Sequence, residues 1–158
     1  MKIISKITIL ASPLITTFWV LILSGFLILQ KKIYKGISII LLFSLGGILL
    51  SIIKHLVARP RPIDNLVVEK TFSFPSGHTF GITLLALTVC TIFGPFFKKY
   101  KQLIICTMIC LVVLIAFSRV YLFVHYPSDI IGGLLLAVFW WNFYQSILDL
   151  LKINQLKF

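Results

Sequence analysis

Five long apolar runs, separated by short polar gaps, constrain this chain more than any other feature. They extend over about residues 7–30, 36–58, 79–97, 102–123 and from Pro127 to a point between Trp141 and Leu151. Each has close to the roughly 20 apolar residues that an α-helix needs to cross a bilayer. None alternates with a period of two, as the strands of a membrane barrel do.

The composition agrees with a chain that is surrounded by lipid. Hydrophobic residues make up 59% of the 158 residues and charged residues 12%, whereas a soluble domain is about 45–50% apolar and about 25% charged. The sequence therefore predicts an all-α, polytopic membrane helix bundle with about five transmembrane helices and room for a sixth. We expect one membrane-embedded domain over residues 1–158.

The basic residues indicate how the helices are oriented. The net charge is +11, but these residues lie in the gaps between apolar runs, which favours contact with lipid over nucleic-acid binding. If successive loops alternate between the two sides, one side carries Lys31, Lys32, Lys35, Lys98, Lys99, Lys101, Lys152 and Lys157. Because cytoplasmic loops are enriched in Lys and Arg, we predict that this side is cytoplasmic and that loops 59–78 and 124–128 face outward.

Ionisable side chains cluster near the outer ends of the helices. They are Lys54, His55, Arg59, Arg61, His78, Arg119, His125 and Asp129. Charged groups in membrane helices are costly and mark functional sites by default. Guanidinium groups also match phosphate oxygens in a bidentate way. The cluster therefore predicts an anion-binding site with acid–base capacity.

The segment Pro75-Ser76-Gly77-His78 leads from a loop into the third apolar run. Glycine lets the backbone approach a ligand closely, and the start of a helix presents N–H groups that can bind phosphate. We expect this segment to face the bound anion.

Three motifs, in this order and spacing, resemble the signature of the type 2 phosphatidic acid phosphatase superfamily. Its members are membrane-embedded lipid phosphatases related to acid phosphatases and vanadium haloperoxidases. The first motif is Lys54, six residues and Arg61-Pro62; the second is Pro-Ser-Gly-His at 75–78; the third is Ser118-Arg119, five residues, His125, three residues and Asp129. The resemblance covers roughly residues 36–158. The usual members have three helices before the first motif, and this chain has two apolar runs there.

The resemblance implies a role for each motif residue. His125 is expected to be the nucleophile that forms a phosphohistidine, Asp129 to hold its tautomer, and His78 to protonate the leaving oxygen. The groups expected to bind the substrate phosphate are Lys54, Arg61, Ser76, Gly77 and Arg119. Phosphoryl transfer depends mainly on positioning and electrostatic stabilisation, and cations can supply both. Since the sequence has no acidic cluster to hold Mg²⁺, we predict no metal and no other cofactor.

Residues outside the signature have simpler interpretations. His55 is expected to be an interfacial side chain, and Arg59 either to reach lipid headgroups or to touch substrate. Ser118 is expected to be a helix-packing or hydrogen-bonding residue. Trp140, Trp141 and Tyr144 either mark the inner interface or pack inside the bundle. The second interpretation arises because Trp140 is only about 18 Å along a helix from Ser128 at 1.5 Å per residue.

The sequence thus predicts an integral membrane lipid phosphatase, and its minimal architecture favours a prokaryotic inner (cell) membrane with the site facing the periplasm or cell exterior. The candidate substrates are phosphatidylglycerophosphate, phosphatidic acid, undecaprenyl diphosphate and a lipid A phosphate.

A lipid A phosphatase or a lipid phosphotransferase is a close alternative. A non-catalytic lipid-phosphate binder or transporter, and a haloperoxidase, are alternatives of other classes. Intact His78, His125 and Asp129 argue against the binder, and the lipid setting argues against the haloperoxidase. The expected partners are substrate and membrane lipids, with no nucleic acid and no protein partner.

The predicted sidedness can be tested by thiol labelling in a variant whose three native cysteines have been replaced. A cysteine at Asn65, in the loop 59–78, should react with a membrane-impermeant reagent in intact cells. A cysteine at Tyr100 should react only after the cells are opened. The reverse pattern would move the site to the cytoplasmic side.

Overall fold

Five α-helices make up most of the chain that the structure describes. This computed structural model covers Thr8, residues 12–63, residues 71–151 and Ile153. The helices are α1 (Pro13–Leu29), α2 (Ile33–Val57), α3 (Gly77–Phe93), α4 (Lys101–Tyr121) and α5 (Pro127–Leu150), with a 3₁₀ turn at Lys98–Tyr100 before α4. The predicted all-helical membrane bundle is confirmed. Expectations that involve Asn65, Lys152 or Lys157 concern residues outside the described part.

The helices have the length and surface of membrane spans. Three of them, α2, α5 and α4 with its preceding turn, are long and apolar enough to cross a membrane. Helices α1 and α3 are apolar but have 17 residues each, or about 25 Å at 1.5 Å per residue. Large apolar side chains such as Leu29 and Leu150 are 84% and 77% exposed. Such a surface is costly in water and suited to lipid, so this is a multi-pass membrane protein.

Local signals in the sequence explain where several helices begin. Proline occupies the first position of α1 and α5, where no intrahelical partner is needed for its missing N–H. Ser76 caps α3, and its hydroxyl oxygen accepts a hydrogen bond from the Thr79 N–H. At the end of α2, Ala58 adopts a left-handed conformation with a φ of 45° and stops the helix.

Helix α3 lies at the centre of the bundle and packs against each of the other four helices. Its first turn approaches α5 closely at Gly133, where an added Cβ would lie 2.6 Å from the Ser76 carbonyl oxygen and 3.3 Å from the Thr79 Cβ. Small residues permit such contacts between membrane helices. The close approach brings the starts of α3 and α5 together, and both starts carry predicted site residues.

Two aromatic residues of α5, Trp140 and Tyr144, pack against α2 inside the bundle. The Trp140 indole Nε1 donates to the Leu42 carbonyl oxygen at 2.9 Å, and its ring occupies the space beside Gly46. Tyr144 is buried, and its hydroxyl lies 3.0 Å from the Ser38 hydroxyl. Both polar groups therefore find partners on α2, which an apolar environment requires. Of the two interpretations of Trp140 and Tyr144, these contacts support packing inside the bundle.

Candidate active site

Two arginines lie just after α2, and each is followed by a proline in the segment Arg59-Pro60-Arg61-Pro62. A residue that precedes proline is restricted to extended backbone, and alternate residues of an extended segment point to the same side. Both guanidinium groups accordingly reach the start of α5: Arg59 contacts Asp129, and Arg61 contacts His125.

His125 lies in the short connection between α4 and α5 and is almost completely buried. Its Nδ1 is 3.4 Å from Asp129 Oδ2, across the first turn of α5. The same carboxylate oxygen accepts the Tyr126 backbone N–H at 2.9 Å. Asp129 is therefore held as a helix-start carboxylate while it faces the imidazole.

The other ring nitrogen of His125 faces Arg61. Its Nε2 is 3.3 Å from Arg61 Nη1, which also donates to the Val124 carbonyl oxygen at 2.8 Å. A guanidinium can only donate and a carboxylate can only accept. The two contacts together fit the tautomer with hydrogen on Nδ1 and an unprotonated Nε2.

Lys54 and Arg61 also bind the segment that precedes the second motif. The Lys54 ammonium group donates to the Phe72 carbonyl oxygen at 2.8 Å, and Arg61 Nε donates to the Thr71 carbonyl oxygen at 2.7 Å. Lys54, His55, Arg59 and Arg61 line a cavity of about 410 Å³ beside this segment. The cavity is large enough for a phosphate group and strongly cationic.

The second motif forms the start of α3. Ser76 is the N-cap, and its hydroxyl also interacts with the Thr79 hydroxyl at 3.0 Å. Gly77 and His78 are the first two helical residues, and His78 is buried. The Ser76 backbone N–H donates to the Asp129 carbonyl oxygen at 2.9 Å, which ties this helix start directly to the His125–Asp129 pair.

Arg119 and Ser118 lie in the last turn of α4. The Arg119 side chain is only 2% exposed, and its charge acts on His125. The Ser118 hydroxyl donates to the Ile115 carbonyl oxygen at 2.7 Å and accepts from the Thr8 hydroxyl at 2.9 Å. Ser118 thus has the hydrogen-bonding role within the bundle that its position in the sequence predicts.

Burial lowers the pKa of His125 below the usual value for histidine. The hydrogen bond to Asp129 raises this pKa, while the charges of Arg61, Arg119 and Lys54 lower it further. The net direction is downward, so the imidazole is neutral at pH 7 and its Nε2 lone pair is available.

The structure joins His125, Asp129 and Arg61 by direct contacts and adds Arg59, which occupies an unspecified spacer position of the first motif. Arg59 Nη1 forms an ion pair with Asp129 Oδ1 at 2.9 Å. The sequence alone predicted that Arg59 either reaches lipid headgroups or touches substrate. The repeated Arg-Pro pair was the available signal, because it places Arg59 and Arg61 on the same side of an extended segment.

A membrane helix bundle with a buried histidine, a carboxylate and cations at one end defines the class of a polytopic membrane protein with a charged site. This chain belongs to the PAP2 superfamily, whose family model matches residues 35–151. The resemblance found in the three motifs is thereby confirmed.

Two curated relatives are each 30% identical to the chain. One is phosphatidylglycerophosphatase B of Bacillus subtilis (strain 168), aligned over 123 residues that cover 75% of this chain and 61% of that protein. The other is the undecaprenyl-diphosphatase of Sulfolobus acidocaldarius, aligned over 126 residues that cover 75% of this chain and 58% of that protein. The chain therefore spans less than two thirds of the length of either relative.

A solved structure has the same fold. The crystal structure of a transmembrane PAP2 type phosphatidylglycerolphosphate phosphatase from Bacillus subtilis superimposes with a TM-score of 0.81 at 28% identity. The match covers 92% of this chain and 77% of that one. The bundle is thus that of a transmembrane PAP2 protein.

The lowered pKa of His125 predicts a pH-dependent stability. Below about pH 6.5, a histidine in the unfolded chain gains a proton that buried His125 resists, so the free energy of unfolding decreases as the pH falls. The thermal midpoint in detergent should decrease between about pH 7.5 and about pH 5.5. His125→Asn should lose less over this interval than the wild type. An equal decrease in both proteins would contradict the assignment of a buried, neutral His125.

Proposed function

We propose that this protein is a metal-independent lipid phosphatase that removes a terminal phosphate through a phosphohistidine on His125. The observation that carries the proposal is the position of the His125 ring. Its Nδ1 faces the Asp129 carboxylate and its Nε2 faces the Arg61 guanidinium. A ring held in this way presents a bare nitrogen at the place where a cation would hold a phosphoryl oxygen.

Cations supply the electrostatic part of the proposed reaction. Lys54 and Arg61 line the cavity, and the charge of Arg119 acts on the same histidine. Negative charge on the three equatorial phosphoryl oxygens is stabilised by such fixed charges, with the Gly77 N–H and the Ser76 hydroxyl as further donors at the start of α3. These groups do the work that Mg²⁺ does in other phosphoryl-transfer enzymes.

In the first half-reaction, the Nε2 lone pair of His125 attacks phosphorus. The N–P bond forms while the bond between phosphorus and the lipid-side oxygen breaks. The Asp129 carboxylate accepts a hydrogen bond from the Nδ1–H, without taking the proton, and stabilises the positive charge that develops on the ring, as in a serine hydrolase triad. His78, at the second position of α3, protonates the departing oxygen.

In the second half-reaction, water attacks the phosphorus of the phosphohistidine. His78, now unprotonated, accepts the proton of that water. The N–P bond breaks, inorganic phosphate leaves, and both histidines return to their starting protonation states.

The cavity suggests that the substrate is an amphiphile. Gly47 and Leu50 line both the cationic cavity and a second groove of about 270 Å³. This groove runs between α1 and α2 over α3, and its walls include Val20, Phe43 and Phe80. A lipid whose phosphate is held by Lys54 and Arg61 would therefore have an apolar groove beside it for its tail. The names of the two relatives favour phosphatidylglycerophosphate and undecaprenyl diphosphate as the substrates to test first.

The proposed site opens at the outer face of a prokaryotic cell membrane. It lies at the ends of α2 and α4, whereas Lys32, Lys98 and Lys99 lie just before the starts of these helices. Because the lysine-rich side is expected to be cytoplasmic, the phosphate would be removed from the outer leaflet.

Phosphate release from purified protein in detergent tests the proposal. Phosphatidylglycerophosphate or undecaprenyl diphosphate should be hydrolysed in excess EDTA, and vanadate should inhibit by imitating five-coordinate phosphorus. His125→Ala should lower turnover by more than about 1,000-fold, as expected when a covalent nucleophile is removed. Lys98→Gln, at the other end of the bundle, should retain activity.

Three outcomes would contradict parts of this proposal. Loss of activity in EDTA with recovery in Mg²⁺ would exclude the metal-independent mechanism. Transfer of phosphate to a second lipid would favour a phosphotransferase. Binding of lipid phosphate without turnover would favour a non-catalytic binder.

Gly47 offers a test of the groove. A Cβ added at Gly47 meets no atom within 4 Å, so Gly47→Leu should fill the junction of cavity and groove without disturbing the helices. Turnover of a long-chain lipid phosphate should decrease by about 10-fold or more, while that of a short-chain, water-soluble phosphate ester should change little. Gly25→Leu is the matched control because its Cβ also meets open space but lies outside the groove. An equal loss on both esters would contradict the groove assignment.

A further inference from the structure

Arg59 contacts three residues at the start of α5, although it is not one of the residues that define the three motifs. Its Nη1 donates to Asp129 Oδ1 at 2.9 Å and to the Ser128 hydroxyl at 2.7 Å. Its guanidinium carbon lies 4.1 Å from the centre of the Tyr126 ring. One side chain therefore contacts three of the four residues that follow His125.

The backbone of Arg59 is fixed as well as its side chain. The Arg59 carbonyl oxygen accepts hydrogen bonds from the Ser73 N–H at 2.9 Å and from the Ser73 hydroxyl at 3.2 Å. Ser73 is itself fully buried. Arg59 is thus anchored at one end by the segment before α3 and at the other end by the first turn of α5.

The contacts divide the Asp129 carboxylate between two tasks. Arg59 occupies Oδ1, while Oδ2 receives the Tyr126 N–H and faces His125 Nδ1. The Asp129 side chain is 0% exposed, and a buried carboxylate remains ionised only when its oxygens have donors. With Oδ1 held, rotation of the carboxylate away from the imidazole would break the ion pair.

We propose that Arg59 is a positioning residue that fixes the ionised Asp129 carboxylate against His125 and so sets the orientation and charge balance of the nucleophile. The proposal rests on the lipid phosphatase activity proposed above. It assigns different tasks to the two arginines of the Arg-Pro repeat, since Arg61 acts at the Nε2 side of the ring and Arg59 acts through Asp129 at the Nδ1 side.

Enzyme kinetics can distinguish this positioning role from phosphate binding. The Arg59 guanidinium contacts Asp129, Ser128 and the Tyr126 ring, although its side chain is 35% exposed and lines the cavity. A group that acts through Asp129 should affect turnover rather than substrate affinity. A group that binds phosphate should raise KM and weaken inhibition by inorganic phosphate.

Two variants of Arg59, assayed on the same lipid phosphate, test the proposal. Arg59→Gln should lower kcat by about 10- to 100-fold, with little change in KM. This is the scale of loss when a hydrogen-bond partner that orients a metal-binding side chain is removed. Arg59→Lys retains the charge but loses the planar fork, so kcat should decrease by a smaller factor. Lys98→Gln is the control for loss of a positive charge at the opposite end of the bundle.

The acid limb of the pH profile distinguishes the two variants further. His125 is acted on by the cations Lys54, Arg61 and Arg119 and by the Asp129 carboxylate, whose charge Arg59 balances. Removing that balance in Arg59→Gln should raise the pKa of His125 and move the acid limb to higher pH. In Arg59→Lys the limb should stay close to that of the wild type. A merely structural loss would not move the limb.

A double-mutant cycle with Asp129→Asn completes the experiment. If Arg59 acts through Asp129, adding Arg59→Gln to Asp129→Asn should lower kcat by less than 3-fold (about 0.6 kcal/mol). Additive losses, a raised KM with unchanged kcat, or wild-type kinetics of Arg59→Gln would each overturn the proposal. Absence of turnover in the wild type would instead overturn the proposed function, which keeps the two failures distinguishable. Size-exclusion profiles and thermal midpoints identify any variant that fails to fold.

Discussion

The buried carboxylate of Asp129 is the group on which the rest of this site depends. One oxygen binds Arg59 and the other faces His125 and accepts the Tyr126 N–H. The Asp129 backbone carbonyl oxygen accepts a hydrogen bond from the Ser76 N–H, so the starts of α5 and α3 are joined at the same residue. A buried carboxylate without such donors would be strongly destabilising in an apolar environment. Through its carboxylate and its backbone carbonyl, this one residue therefore joins the segment after α2 and the starts of α3 and α5 around one imidazole.

The cations of the site differ in what they hold. Lys54 and Arg61 bind backbone carbonyl oxygens of residues 71–73 and line the cavity, whereas Arg59 binds a carboxylate. The alternating prolines make this division possible, because they keep the two arginines extended and on one side of the segment. Positive charge is thereby concentrated on one side of His125 and balanced on the other. This arrangement is consistent with a neutral imidazole next to an anion site.

The same packing that builds the site leaves a path for an apolar chain. Helix α3 contacts all four neighbours, and its first turn lies against Gly133 of α5. The groove between α1 and α2 is lined by Gly47 and Leu50, and both residues also line the cationic cavity. A polar cavity that opens into an apolar groove suits a ligand whose head is charged and whose tail remains in lipid. The groove lies among helices whose exposed apolar surface is suited to lipid.

Much of the fold could be predicted from the sequence because apolar runs of spanning length are a local property, and the motif residues could be chosen because their order and spacing resemble a family signature. Apolar runs of spanning length predict helices close to those observed, and the Pro-Ser-Gly-His segment and Pro127 lie where α3 and α5 begin. The spacing between His125 and Asp129 predicts their contact, since both lie within one turn at a helix start. The partner of Arg59 lies 70 residues away, and the rings of Trp140 and Tyr144 turn inward to reach α2, 98 and 106 residues away. The position of the groove beside the cavity also depends on the seam between helices. These features were decided only by the tertiary structure, because hydrogen-bond partners of buried groups are selected by helix packing, which residue spacing does not encode.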